Sequence, residues 1–105
     1  MESNFVKLNL EKFLAEHPVE SVDKISLSIQ QSINNFVNVG YKVNFKEPVN
    51  IRGYQVIGIK SSTTMSLKDD ESSELGYERA NEFLKLIKET YGKDVVRTHY
   101  FKKQK

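Results

Sequence analysis

The segment Asn4–His17, NFVKLNLEKFLAEH, decides the fold, because its two halves obey different periodicities. Through NFVKLNL (Asn4–Leu10), Val6, Leu8 and Leu10 alternate with Phe5, Lys7 and Asn9, the pattern of a half-buried strand. The overlapping LNLEKFLAEH reads equally as a short helix. Which reading holds sets the number of strands, so the rest of the chain has to be placed around it.

The clearest helix signal after it runs from about Ser21 to Asn38, where Val22, Ile25, Ile29, Ile33 and Phe36 fall on one stripe. Pro18 and Ser21 supply start signals and Gly40 a stop. A second helix is expected from about Ser73 to Tyr91, with Tyr77, Ala80, Leu84, Ile87 and Tyr91 on one stripe and Phe83 beside it. Acids Asp69, Asp70, Glu71 and Glu74 crowd its start, Lys85 and Lys88 its end, and Gly92 follows, which suits the helix dipole and a glycine C-cap. Strands are expected at Tyr41–Lys46, which alternates, at Ile51–Lys60, which is β-branched, and at Asp94–Phe101. With Asn4–Leu10 as a strand the order is β-α-β-β-α-β, a ferredoxin-like α+β sandwich with two helices on one face of an antiparallel sheet. With a helix there instead, the order is α-α-β-β-α-β over three strands. The strand reading is preferred. Residues 61–73 are expected as a flexible loop and 102–105 as a frayed basic tail.

A chain of 105 residues is one domain by size. It has no cysteine, which removes disulfides, thiolate metal sites and cysteine nucleophiles. The start MESNFVKLNLEKF lacks the basic start and apolar run of a signal peptide, and no apolar stretch approaches the ~20 residues of a membrane helix. No Asn-x-Ser/Thr sequon occurs. A cytoplasmic protein without membrane attachment is the expectation. The net charge of +2 by itself implies no polyanionic partner.

The distribution of that charge is more informative. Because side chains alternate along a strand, each expected strand divides into two faces. Val6, Leu8, Leu10, Tyr41, Val43, Phe45, Ile51, Ile57, Ile59, Val96, Thr98 and Tyr100 would point inward. The outward set contains Phe5, Lys7, Lys42, Lys46, Arg52, Tyr54, Lys60, Arg97, His99 and Phe101: six lysines or arginines and no acid. Thirteen of the fourteen acids are expected outside the strands, and Asp94 only opens the last of them. Within this set, RGYQVIGIK (Arg52–Lys60) opens with a basic-Gly-aromatic triplet. Arg52, Gly53 and Tyr54 resemble the start of the nucleic-acid-binding octapeptide of RNA-recognition domains, and Ile57 stands in for its valine. Gln55, Val56 and Ile59 depart from it. The resemblance covers one strand and implies stacking by Tyr54 and phosphate contact by Arg52.

Other chemistry is weaker. GYQVIGIKS (Gly53–Ser61) approaches a phosphate-binding loop, but its lysine is one residue late and the run is strand-like. The acids Asp69–Glu71 are consecutive, so on a helix they do not share a face for a metal. His17 and His99 have no carboxylate partner nearby in sequence and read as surface or rim histidines. The expectation is a non-enzymatic binding module, without cofactor or metal, that takes single-stranded RNA or DNA on a bare sheet face. The alternative is a protein-binding regulator or inhibitor, an accessory protein acting through that face, an edge strand or the acidic helix.

Overall fold

The computed structural model describes residues 2–31, 36–65 and 73–100. Helix α1 (Glu2–Glu16) leads through a short 3-10 turn at Val19–Ser21 into β1 (Val22–Gln31). Strands β2 (Val37–Ile51) and β3 (Tyr54–Thr64), helix α2 (Ser73–Tyr91) and β4 (Val96–Tyr100) follow. The sheet is four-stranded and mixed, in the order β3-β2-β1-β4. Strands β1 and β2, and β2 and β3, pair antiparallel, while β4 lies parallel to β1. The α+β class stands; neither expected element order does, because the chain runs αβββαβ.

Two segments account for the difference. Asn4–Leu10 is helical because its apolar residues continue into a helical stripe: Val6 and Phe13 are buried, and Leu10 and Leu14 pack beside them. Leu8, inward in the strand reading, is 64% exposed. Residues 22–31 are a strand, not the start of a helix, because Ile25, Leu27 and Ile29 alternate with Ser26 and Ser28. All three apolar residues are buried, whereas the helical stripe leaves Leu27 on its far side. Val37 and Val39, also given to the end of that helix or its stop, open β2 as buried residues.

Both helices cover one face of the sheet. Val22, Ile25, Leu27 and Ile29 of β1, Val37, Val39, Val43 and Phe45 of β2 and Val96 of β4 meet Ala80, Phe83, Leu84 and Ile87 of α2 and Val6 and Phe13 of α1 in a single core. Helix α2 matches its expected stripe and ends at Gly92, whose φ of 102° and N–H bond to the Lys88 carbonyl close the last turn. Ile51 and Ile57, expected inward, are 37% and 58% exposed, because the β2–β3 hairpin runs past the helices at its far end. Asp23 and Glu47 lie in β1 and β2, against the expectation that both fall outside the strands. Residues 61–64 extend β3 rather than open a loop, and Met65 is buried. The remainder of that expected loop before Ser73, and the tail 102–105, lie outside the described residues.

His17 is a core residue, not a surface one, and joins the two helix ends. Its backbone N–H and its Nδ1 each meet the Phe13 carbonyl at 2.9 Å, and the Tyr91 hydroxyl donates to the His17 carbonyl. The ring is fully buried against Phe13, at 4.4 Å between centroids, with Tyr41 and Phe45 further round. Nε2 has no hydrogen-bond partner among the described residues. Burial therefore holds the imidazole below its ordinary value of 6.5, only partly offset by the Phe13 carbonyl and the Glu16 carboxylate. Burial also pushes the Tyr91 phenol up to about 12.

Candidate nucleic-acid interface

The face of the sheet opposite the helices is defined by register. Across it, Arg97 of β4 stands beside Ser26 of β1, Ser26 beside Lys42 of β2, and Lys42 beside Lys60 of β3. One step along, His99, Ser28, Gly40 and Ser62 form a second row, and Lys24, Asn44 and Gly58 a third on the other side. None of these residues is buried, so no helix covers them. The small side chains at Ser26, Ser28 and Gly40 leave a shallow trough between Lys42 and Lys60 on one flank and His99 on the other. A Cβ at Gly40 would stand 3.3 Å from the Ser28 hydroxyl oxygen, so the floor there is already close-packed.

In these rows four cations, Lys24, Lys42, Lys60 and Arg97, share the face with His99, and exposed Asp23 adjoins Lys24 at the β1 bulge, between buried Val22 and Ile25. Nearby cations of this kind raise the local potential and draw anions to the trough. Lys42 and Lys60 are direct cross-strand neighbours of like charge, an arrangement that opposes pairing unless an anion lies between them. Two strand spacings, about 10 Å, separate β4 from β2, which leaves the serine hydroxyls of β1 as the floor between two basic walls.

The residues expected to form the site divide into three groups. Lys42, Lys60, Arg97 and His99 are brought together on the open face. Lys46, Arg52 and Tyr54 lie along the β2–β3 hairpin beyond it, all exposed. Tyr54 is on the outer side of β3 with Gly58 and Lys60, but six residues from Lys60, about 20 Å along the strand. Arg52 and Gly53 are not a strand start: they form the two-residue hairpin turn, with φ of 53° and 87°, and Gly53 N–H bonds to the Asn50 side chain at 2.9 Å. The octapeptide resemblance thus spans a turn and an edge strand in an αβββαβ chain.

Phe5 and Lys7 are on α1 and take no part. Phe5 is half-buried under the Arg79 guanidinium, 5.0 Å from its ring centre, and Lys7 is exposed on the helix. Phe101 lies outside the described residues. What sequence reasoning missed is Lys24 with Ser26 and Ser28, hidden by the helical reading of β1; the alternation Ile25-Leu27-Ile29 was the signal that places them outward. Among the described residues no group of three or more His, Cys, Asp or Glu could hold a metal ion. No helix is long and apolar enough to cross a membrane among them. No protein-family model, no curated protein and no solved structure matches the chain.

Proposed function

We propose that the chain is a non-enzymatic module that binds single-stranded nucleic acid across the helix-free face of its sheet. The observation that carries this reading is the set Lys24, Lys42, Lys60 and Arg97 on the face of a serine-floored trough that Lys42 and Lys60 line and whose lining holds no acid. Phosphates would be met by the cations and by the Ser26 and Ser28 hydroxyls. The centre of the face holds no phenylalanine, tyrosine or tryptophan ring, and His99 on one flank is its only ring among the described residues, so the strand is followed mainly by its backbone. The reading is therefore of binding tolerant to sequence. The alternative, a protein-binding surface, has one observation behind it: Ile57 and Tyr54 stand exposed on β3.

Salt separates these readings. Four phosphate contacts give a slope of log affinity against log salt of about −3, so binding should weaken about 50-fold between roughly 50 and 200 mM salt. Fluorescence anisotropy with labelled single-stranded RNA and DNA measures this directly. Lys42→Glu together with Lys60→Glu should remove binding, while Lys7→Glu on α1 should leave it unchanged. An affinity indifferent to salt, or one lost equally with Lys7→Glu, refutes the proposal.

A further inference from the structure

Strand β3 is the outer strand of the sheet, and no described residue pairs with its free edge. It is eleven residues long, YQVIGIKSSTT, with no proline and a single charge at Lys60. Edge strands are ordinarily blunted by shortness, proline or several charges, because their unpaired backbone groups template further pairing. The opposite edge obeys that rule: β4 has five residues and carries Arg97 and His99. β3 is long and carries one charge, its one irregularity being the register shift of β2 between Asn44 and Val49, opposite Ile57, and it exposes Tyr54 at 73% and Ile57 at 58%.

We propose that β3 pairs with β3 of a second copy of this chain, antiparallel, about a two-fold axis perpendicular to the sheet beside Ile57. A perpendicular axis puts the helices of both copies on one side and joins the two basic faces on the other. Directly opposite residues then face the same way, which permits only pairings that match like sides of the strand. Centring on Lys60 would set two ammonium groups side by side and is disfavoured. Centring on Ile57 sets Ile57 against its own counterpart on the helix side and Val56 against Gly58 on the outer side. It also sets Tyr54 against Lys60 of the second copy, within reach of a cation–π contact. The paired segment ends at Lys60, before Thr63, whose hydroxyl donates to Asn9 of α1 at 3.1 Å, so the helices stay clear of the junction.

This pairing gives Tyr54 a place. About 20 Å from its own Lys60, it joins the basic face of the second copy, and a four-stranded face becomes a continuous eight-stranded one. The pairing stands or falls independently of what that face binds, and its test uses no nucleic acid.

The chain has no cysteine, so a single introduced thiol is unique. Light scattering of the wild-type protein over rising concentration should show the 12.2 kDa chain giving way to a species of twice that mass. Ile57→Cys should cross-link to itself under mild oxidation or with a short bismaleimide. Gln55→Cys and Ile59→Cys, opposite each other in this register, should cross-link when mixed. A chain that stays monomeric up to about 1 mM, the range of the weakest specific association, overturns the proposal. So does a dimer in which Ile57→Cys stays uncross-linked, or one that Arg97→Cys on the β4 edge captures instead.

Discussion

Acidification from about pH 7.5 to about 5.5 should destabilise the fold through His17. The ring is fully buried among aromatic rings, its Nδ1 donates to the Phe13 carbonyl, and Nε2 has no hydrogen-bond partner among the described residues. Folding therefore selects the neutral form and lowers the folded pKa below the unfolded value of 6.5. A base with a lowered folded pKa binds its proton more readily when unfolded, so stability is complete above about 6.5 and falls as pH drops below it. The loss approaches about 1.4 kcal/mol per pH unit and levels off once pH passes below the folded pKa, giving at most about 1.4 kcal/mol at pH 5.5. In a domain of this size that corresponds to a Tm lower by about 5–10 °C. His99 is exposed, and carboxylates titrate mostly below this window, so His17 dominates it. Urea denaturation at the two pH values measures the difference. His17→Asn keeps a donor near the Phe13 carbonyl but cannot titrate; it should be less stable at both pH values and lose nothing further on acidification. Equal wild-type stability at the two values, or the same acid loss in the variant, would refute the assignment.

Three further outcomes follow from the same geometry. Arg52→Asn relieves a left-handed backbone at a position where arginine is strained, and should stabilise the chain by about 0.5–1 kcal/mol in denaturant melts. Gly58→Ala would place a Cβ 2.7 Å from the Asn44 side-chain oxygen and 3.1 Å from the Val43 carbonyl. The asparagine can swing away but the carbonyl cannot, so a loss of about 1 kcal/mol is expected by the same assay. Tyr91→Phe removes the donor to the buried His17 carbonyl and should cost about 1–3 kcal/mol, read as a lower Tm.

The sequence carried most of this fold, and its failures are local. Helix α2 was legible because its stripe, acidic start and Gly92 stop agree, and the structure buries that stripe. Strand β1 was not, because Val22, Ile25 and Ile29 satisfy a helical spacing as well as a strand one. The arbiter was Leu27, which only the strand reading buries, between two serines that favour neither interior. At the other end, Val6, Leu10, Phe13, Leu14 and His17 spell a helix once the histidine is counted as apolar. Its burial among aromatic rings shows why it behaves that way here.

Four of the ten expected residues nonetheless share one face, for a physical reason. A face assignment depends on the phase of each strand, not on the order in which strands are joined. The phases of β2, β3 and β4 were fixed locally, by Val43 and Phe45, by Ile59 and by Val96, so Lys42, Lys60, Arg97 and His99 stay outward under either topology. What topology changed is which strand stands beside them. The expected neighbour was an aromatic-bearing strand with Phe5; the actual one is β1, which offers Lys24 and two serines. The face consequently kept three of its six expected cations, gained Lys24 and lost its stacking rings, and that is why the reading moves from recognition of bases to contact with phosphates. Tyr54, the one exposed aromatic among the described side chains, is where that conclusion can still change: it meets the basic face only if β3 is paired. A Tyr54→Ala loss of nucleic-acid affinity that grows with protein concentration would show both effects acting through one side chain.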